Sequence, residues 1–422
     1  MAGKKLNGYK ELTKKKELNK YLNPNIVYIP LINGNDEDVT ILVSKDDYVY
    51  KNMMIAKTKG SFRISINSSI SGVVLGIEER KCANGRLVKC LAIENDFKEN
   101  VKSNNSLKKN IIEYSKDEFI NILRECGIVG MGGASFPTYV KYDTDKKIKT
   151  LIVNAVECEP YITADYKLLM EKVDKILETV DAIMNINNID EAIIAVKKIN
   201  KEVINKINNY IGSYDKIKLI LVPNKYPAGW ERTLIKEVTG LNYTNLPIEQ
   251  GIVVNNVSTI YAIYEALKYH KCITERIITF SGNMLLNPQN ILVKIGTSID
   301  ELINKHLKLK GDNCDIVAGG PMMGNLVSKD LVVSANLNCV LFMKHVEECN
   351  LKECLRCGKC NNVCPARITP VLIKDNVYNK EVLKDMMVNR CVECGLCSYI
   401  CPSKIDVRSF VRQAKKTLKE DK

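Results

Sequence analysis

Residues Lys147–Ile186, KIKTLIVNAVECEPYITADYKLLMEKVDKILETVDAIMNI, decide how this chain is read. The first part, KIKTLIVNAV, is a short, nearly continuous apolar run and reads as a strand buried on both faces. The last part, DYKLLMEKVDKILETVDAIMNI, carries apolar residues at helical spacing and reads as a long amphipathic helix. Between them NAVECEP places Asn154, Glu157 and Glu159 at the carboxyl end of the strand, where open parallel sheets bind ligands. Glu157 and Glu159 also fit a plainer role, as acids facing the positive end of the next helix.

The alternation continues outward. EAIIAVKK, KEVINKINNYI and KIKLILVP follow, then the helix GWERTLIKEVTG, closed by Gly240, and the helix VSTIYAIYEALKYH. Upstream, KDEFINILRECGI has helical spacing. Strands alternating with helices predict an α/β domain with a parallel sheet over residues 115–272. Residues 26–100 hold short β-type runs (NIVYIPL, VTILVSKDDYVY, FRISINSSISGVVLGIEE, LVKCLAIEND) punctuated by Gly, Asn and Asp, which predict a small β domain. Ser68, Ser69, Ser71 and Gly72 read as its tight turn. Residues 273–330 return to strands and turns, with a short helix at SIDELINKHL and a glycine-rich AGGPMMG, and read as an α+β insert. Residues 1–25 read as a basic N-terminal arm, solvated and frayed, with lysines at 4, 5, 10, 14, 15, 16 and 20.

With 422 residues, 45% of them hydrophobic, the chain is expected to be globular and multidomain. Its apolar runs fall far short of the ~18–20 residues needed to cross a bilayer, and no apolar signal segment is visible near the N-terminus. The expected location is therefore the cytoplasm, or a cytoplasmic membrane face where other proteins hold it. The net charge of +13 reads as a lysine-rich solvated surface. Without a nucleic-acid motif or aromatic–basic interleaving, no nucleic-acid partner is expected.

Sixteen cysteines without an export signal argue against a disulfide framework. Eight are scattered, at 82, 90, 126, 158, 272, 314, 339 and 349, and read as small buried apolar residues. The other eight form two runs, CLRCGKCNNVCP from Cys354 and CVECGLCSYICP from Cys391. Each is C-x2-C-x2-C-x3-C-P, in which three cysteines hold one [4Fe–4S] cube and the fourth ligates the other cube. One cluster is thus expected on Cys354, Cys357, Cys360 and Cys401, the second on Cys391, Cys394, Cys397 and Cys364. Gly358 and Gly395 omit a Cβ where backbone must pass close to a cube. Zinc ribbons would also use eight cysteines, but as paired C-x2-C units. Two adjacent cubes move single electrons, so a site handling electrons in pairs is expected elsewhere in the chain.

GIVGMGGASFPTYVKY, Gly127–Tyr142, holds Gly130, Gly132 and Gly133 and can turn backbone N–H groups toward phosphate, with Lys141 following as a cation. It lacks the Rossmann spacing. NKYPAGWE and VVNNVST are further polar strand ends that open helices. Together these loops read as one ligand pocket.

GMGGASFPTYVK, NAVECEPYITAD, KYPAGWERTLIKEVTG, VVNNVSTIYAI and GGPMMG, followed by two ferredoxin runs, resemble the RnfC family, whose members belong to the Rnf ion-translocating electron-transport complex. The same loops are similar to those of the FMN- and NADH-binding subunit of respiratory complex I. The resemblance implies an N-terminal barrel-sandwich β domain, an FMN-binding α/β domain, a β-grasp (SLBB-like) insert over 273–330 and a C-terminal dicluster ferredoxin-like helical domain over 345–412. It implies FMN contacts at Gly130, Gly132, Lys141, Asn154, Tyr226, Gly229, Asn255, Asn256 and Thr259. Nicotinamide nucleotide, NAD(H), would lie against Gly133, Phe136, Glu159 and Glu231. Val156 stands where the complex I relatives have an acidic FMN ligand, and Trp230 replaces a small or acidic residue. The family's QHxG stretch is absent, and Asn67 replaces the histidine of its IHSS turn.

The resemblance implies a peripheral subunit on the cytoplasmic side of the membrane. It would pass electrons between NAD(H), FMN and two [4Fe–4S] clusters, with the other Rnf subunits as partners, ferredoxin as an indirect one and ion movement coupled to the reaction. Two alternatives stay open: a soluble relative, similar to the electron-transfer protein of clostridial proline reductase, and a flavin-free electron carrier. No side chain stands out as a catalytic acid or base; the histidines, 270, 306 and 345, lie outside the motif loops.

Overall fold

The structure is a computed structural model that describes residues 3–34, 36–102, 109–243, 245–347 and 352–419. Cys349, one of the scattered cysteines, lies outside the described residues.

After β1 (Leu18–Tyr21), the β domain comprises β2 (Ile26–Pro30), β3 (Val39–Ile41), β4 (Tyr48–Val49), β5 (Met54–Thr58), β6 (Ser65–Asn67), β7 (Gly72–Lys81) and β8 (Leu87–Asn95). They form two antiparallel sheets, ordered β2-β8-β7-β4 and β3-β5-β6. Val27, Ile29, Val49, Ile55, Ile70, Val74, Leu91 and Ile93 fill the space between them. A bulge between Val74 and Gly76 bends β7. The stretch Ser68–Gly72 is not the exposed tight turn its composition suggests. Ser68, Ser69 and Ser71 are buried. Ser69 Oγ donates to Ile295 O at 2.6 Å and Ser71 Oγ to Asp96 Oδ1 at 2.7 Å, so hydroxyls that read as turn formers instead satisfy buried acceptors.

The α/β domain follows: α1 (Lys116–Glu125), β9 (Thr150–Ala155), α2 (Ala164–Ile186), β10 (Glu191–Lys197), α3 (Lys201–Ile211), β11 (Ile217–Val222), α4 (Glu231–Thr239), β12 (Ile252–Asn256) and α5 (Val257–Tyr269). Its sheet is parallel, in the order β11-β10-β9-β12. Leu151, Val153, Ile176, Leu177, Val180, Ile260 and Ile263 pack on one face; Ile152, Val156, Ile193, Ala195, Leu234 and Ile235 pack on the other. Cover on both faces explains the unbroken apolar run of β9. The chain moves from β9 outward to β11, then returns to pair β12 on the opposite edge of β9. The resulting crevice opens at the carboxyl ends of β9 and β12.

A mixed sheet comes next, with β13 (Glu275–Ser281), β14 (Gln289–Lys294), α6 (Ile299–Lys305), β15 (Cys314–Ala318), β16 (Asn325–Val327) and β17 (Cys339–Lys344). The strand order is β1-β14-β13-β17-β15-β16. Two features depart from the sequence reading. β17 lies past residue 330 yet sits between β13 and β15, so the sheet extends to Lys344. The lysine-rich N-terminal segment is also no frayed arm: β1 pairs in parallel with β14 from Leu18↔Asn290 to Tyr21↔Val293. Ahead of β1, Lys4 and Tyr226 exchange backbone hydrogen bonds of 3.0 and 2.9 Å, and Tyr161 N donates to Gly8 O at 2.7 Å. Tyr9 stacks on Tyr161 at 4.7 Å, and Thr13 Oγ1 meets Thr163 Oγ1 at 2.7 Å. Composition alone reports the lysine heads; the long-range partners hold the backbone down.

The tail folds into α7 (Lys359–Val363), α8 (Pro370–Asp375), α9 (Lys380–Asp385), α10 (Leu396–Tyr399) and α11 (Val407–Thr417). Its core is small, built on Ile368, Ile373, Leu383, Val388, Val407, Val411 and Ala414. Among the described residues no helix is long and apolar enough to cross a membrane.

Candidate cofactor site

The crevice at β9 and β12 collects the motif loops. The Gly130–Phe136 loop closes on itself through Gly130 N to Phe136 O at 2.8 Å and Ser135 N to Gly130 O at 3.2 Å. Met131 N donates to the buried Thr259 Oγ1 at 2.9 Å, tying the loop to the first turn of α5. A Cβ on Gly132 would lie 3.2 Å from Asn256 Cβ, and one on Gly229 would lie 3.3 Å from Cys158 Sγ. Glycine is therefore what lets these backbones approach the strand ends so closely. Asn256 caps α5, accepting from Ser258 N at 2.9 Å, and its Nδ2 donates to Asp165 Oδ2 at 2.7 Å. Asn154 Nδ2 donates to Gly229 O at 2.7 Å, and Asn255 Nδ2 to the Tyr142 hydroxyl. Lys141 Nζ donates to Val254 O at 2.6 Å, and burial lowers its pKa against the opposing pull of Glu231. A helix N-terminus, an open glycine loop and a buried ammonium together make an anion cradle, which fits the phosphate of FMN.

The acids of the crevice divide. Glu157 Oε1 accepts from Asp165 N at 2.8 Å, at the start of α2, and Oε2 accepts from Lys10 Nζ at 3.3 Å. Glu157 thus serves the helix terminus, the plainer of its two sequence readings. Glu159 turns toward the AGGPMMG loop, where Oε2 accepts from Met322 N at 3.1 Å and Oε1 is buried without a partner. Burial pushes both carboxyls up to about 7. Glu231 sits at the start of α4, with the Tyr243 hydroxyl 3.4 Å from its Oε1. Phe136 and Phe62, both exposed, meet edge to face at 5.4 Å beside Gly133. Trp230 is the N-cap of α4.

In the tail the thiols line cavities. One, of about 410 Å³, is lined by Cys354, Cys357, Cys360 and Cys401; the other, of about 350 Å³, by Cys364, Cys391, Cys394 and Cys397. Each draws three thiols from one run and the fourth from the other. Gly358 and Gly395, at φ 70° and 76°, make the left-handed turns that open α7 and α10. Soft thiol donors around a cavity fit an iron–sulfur cube. Burial pushes the Cys394 and Cys397 thiols up to about 12.

The two sites touch. Tyr226, 2% exposed, donates its hydroxyl to Cys394 O at 2.7 Å. Arg408 Nη1 donates to Met322 O at 2.7 Å, and Met322 N is the group held by Glu159. The sequence reading missed Lys10, Asp165, Lys197, Arg276 and Arg408. Asp165 lies within a quoted motif, but its partners Asn256 and Ser258 are about ninety residues away. Buried Arg276 donates to the backbone carbonyl of Ala335 and, at 3.4 Å, to that of Met131.

Residues 1–98 match the RnfC barrel sandwich hybrid domain, 123–265 the Nuo51 FMN-binding domain and 353–405 the 4Fe-4S dicluster domain. The chain is 34% identical over 357 residues to the RnfC-type subunit of the proton-translocating ferredoxin:NAD(+) oxidoreductase complex of Clostridium ljungdahlii, covering 83% of this chain and 78% of that protein. It is 30% identical over 359 residues to the Na(+)-translocating counterpart of Acetobacterium woodii, covering 83% and 81%. Among solved structures it is similar in fold to a chain of an NAD+-reducing [NiFe]-hydrogenase in the air-oxidized state. The TM-score there is 0.53 at 16% identity, over 74% of this chain and 65% of that one.

Proposed function

This chain belongs to the RnfC family, and from that premise we propose that it is the peripheral electron-transfer subunit of a membrane-bound Rnf-type ferredoxin:NAD oxidoreductase. It carries an FMN-binding domain and a 4Fe-4S dicluster domain. It works on the cytoplasmic face beside the other complex subunits, with ferredoxin an indirect partner and ion translocation coupled to electron flow. The relatives' names do not favour the soluble alternative.

FMN, when bound, supplies the exchange between electron pairs and single electrons. The chain supplies the rest. The N–H groups of the Gly130–Gly133 loop and the α5 terminus hold phosphate, with Lys141 as counter-charge. Asn154, Tyr226, Gly229, Asn255, Asn256 and Thr259 line the crevice. Gly133, Phe136, Glu159 and Glu231 meet the nicotinamide nucleotide. Cys354, Cys357, Cys360 and Cys401 hold one cluster and Cys391, Cys394, Cys397 and Cys364 the other, the latter nearer the flavin. Residues 26–100, 115–272 and 345–412 are the barrel-sandwich, FMN and ferredoxin-type units. Residues 273–330 are the β-grasp (SLBB-like) unit; its mixed sheet and single helix, α6, support that identity.

The observation that carries this reading is the Tyr226–Cys394 hydrogen bond, which joins the glycine-lined crevice to a cysteine-lined cavity. Anaerobic purification tests it. About eight irons and one FMN per chain, with flavin bleached by NADH, are expected. Zinc in place of iron, or native protein recovered free of membrane partners, would contradict it.

A further inference from the structure

Lys197, the last residue of β10, has no part in the reading above. It is 5% exposed, and its ammonium makes no hydrogen bond or ion pair among the described residues. The charged neighbours that act on it are Lys10, Glu157 and Cys158. None of them is free to neutralise it. Lys10 Nζ is held by Glu157 O at 3.0 Å, by Glu157 Oε2 at 3.3 Å and by Ile162 O. Both Glu157 oxygens are committed, to Lys10 and to Asp165 N. Cys158 is buried, which raises its thiol and keeps it neutral. Val156 offers no carboxylate. Burial and the Lys10 charge lower Lys197 to about 8, which leaves it mostly charged at neutral pH. An uncompensated buried ammonium is costly, and a protein keeps one where an anion arrives.

Its position says which anion. The phosphate cradle lies at β12, α5 and the Gly130–Gly133 loop. β10 is on the far side of β9, two strand spacings or about 10 Å away along the carboxyl edge. Lys197 therefore stands apart from the phosphate donors, at the end of the crevice left for the ring.

We propose that Lys197, with Lys10 behind it, is a positioning residue that neutralises the charge gained by the flavin ring on reduction. Hydride leaving NADH carries two electrons and one proton, yields NAD+ and adds one negative charge to the acceptor ring. An ammonium beside that ring favours the reduced form. The inference rests on the FMN reading.

Sulfite reads this charge directly, because its addition to the ring also delivers negative charge. In FMN-loaded protein, Lys197→Met is expected to bind sulfite about tenfold more weakly, while Lys197→Arg stays near wild type. FMN affinity is expected to stay within about threefold in both. Lys197→Gln, read in the same way, replaces the Met variant if that fails to fold. Unchanged sulfite binding in the charge-removing variant overturns the proposal. Loss of FMN affinity, with none of riboflavin affinity, would assign Lys197 to phosphate and overturn it too. Wild-type protein that takes up no FMN removes the underlying reading and the inference with it.

Discussion

The cysteine tail and the α/β domain build their candidate sites in opposite ways. In the tail, donors two and three residues apart come together locally, and only the fourth thiol of each set crosses from one run to the other. In the α/β domain the residues that meet are far apart in sequence: Gly132 approaches Asn256, Asn256 bonds Asp165, and Lys10 bonds Glu157. The supporting cores differ likewise. The sheet has packed apolar layers on both faces, while five short helices of the tail share one small core. A region with so little buried apolar surface depends on its inorganic ligands for folding; the sheet stands without its cofactor.

That contrast is broken most easily by removing iron. Anaerobic chelation is expected to speed protease cleavage within 352–419 by at least about tenfold while 115–272 stays protected. Equal protection of both regions would refute it. The next effect is confined to the sheet. Gly132→Val adds a branched side chain where even a Cβ lies 3.2 Å from Asn256 Cβ. FMN affinity, read by flavin fluorescence, should fall about tenfold or more with the iron content unchanged.

The junction between the regions predicts a pH effect. Glu159 is raised from 4.5 to about 7 by burial. Its protonated form is the one the fold favours, so its contribution to stability is complete below pH 4.5 and is lost as pH rises through about 7. Glu159→Gln keeps an acceptor for Met322 N and removes the charge. It should stabilise the protein at pH 8 by up to about 3 kcal/mol, a gain that vanishes toward pH 4.5, as urea unfolding at the two pH values would report. The smallest effect concerns the N-terminal segment. Thr13→Val breaks the buried contact with Thr163 and should cost about 1–2 kcal/mol in the same assay. No change would return that segment to the status of a loose arm.

What could be read in the sequence follows the same division. The cluster sets follow from spacing, since a cube fixes where its ligands stand along the chain. Strand–helix alternation gives the parallel sheet, and glycine and asparagine mark the strand ends. Lys10 and Lys197 look like any surface lysines, because only the fold puts one against Glu157 and leaves the other buried and unpaired. The pairing of β1 with β14 spans about 270 residues and has no local signal. Ser68–Ser71 has turn composition, yet its hydroxyls serve buried carbonyl and carboxylate acceptors. β17 falls outside the insert because a polar stretch separates it from the strands it joins.

The central claim is that electrons cross between crevice and tail at the cavity beside Tyr226. Cys401→Ala removes the fourth thiol of the outer cavity, and Cys364→Ala that of the inner one. Each variant, purified anaerobically and mixed with NADH, can be followed by electron paramagnetic resonance. The account predicts a reduced-cluster signal in the Cys401→Ala protein and, in the Cys364→Ala protein, flavin bleaching without one. A cluster signal in the Cys364→Ala protein and none in the Cys401→Ala protein would contradict it.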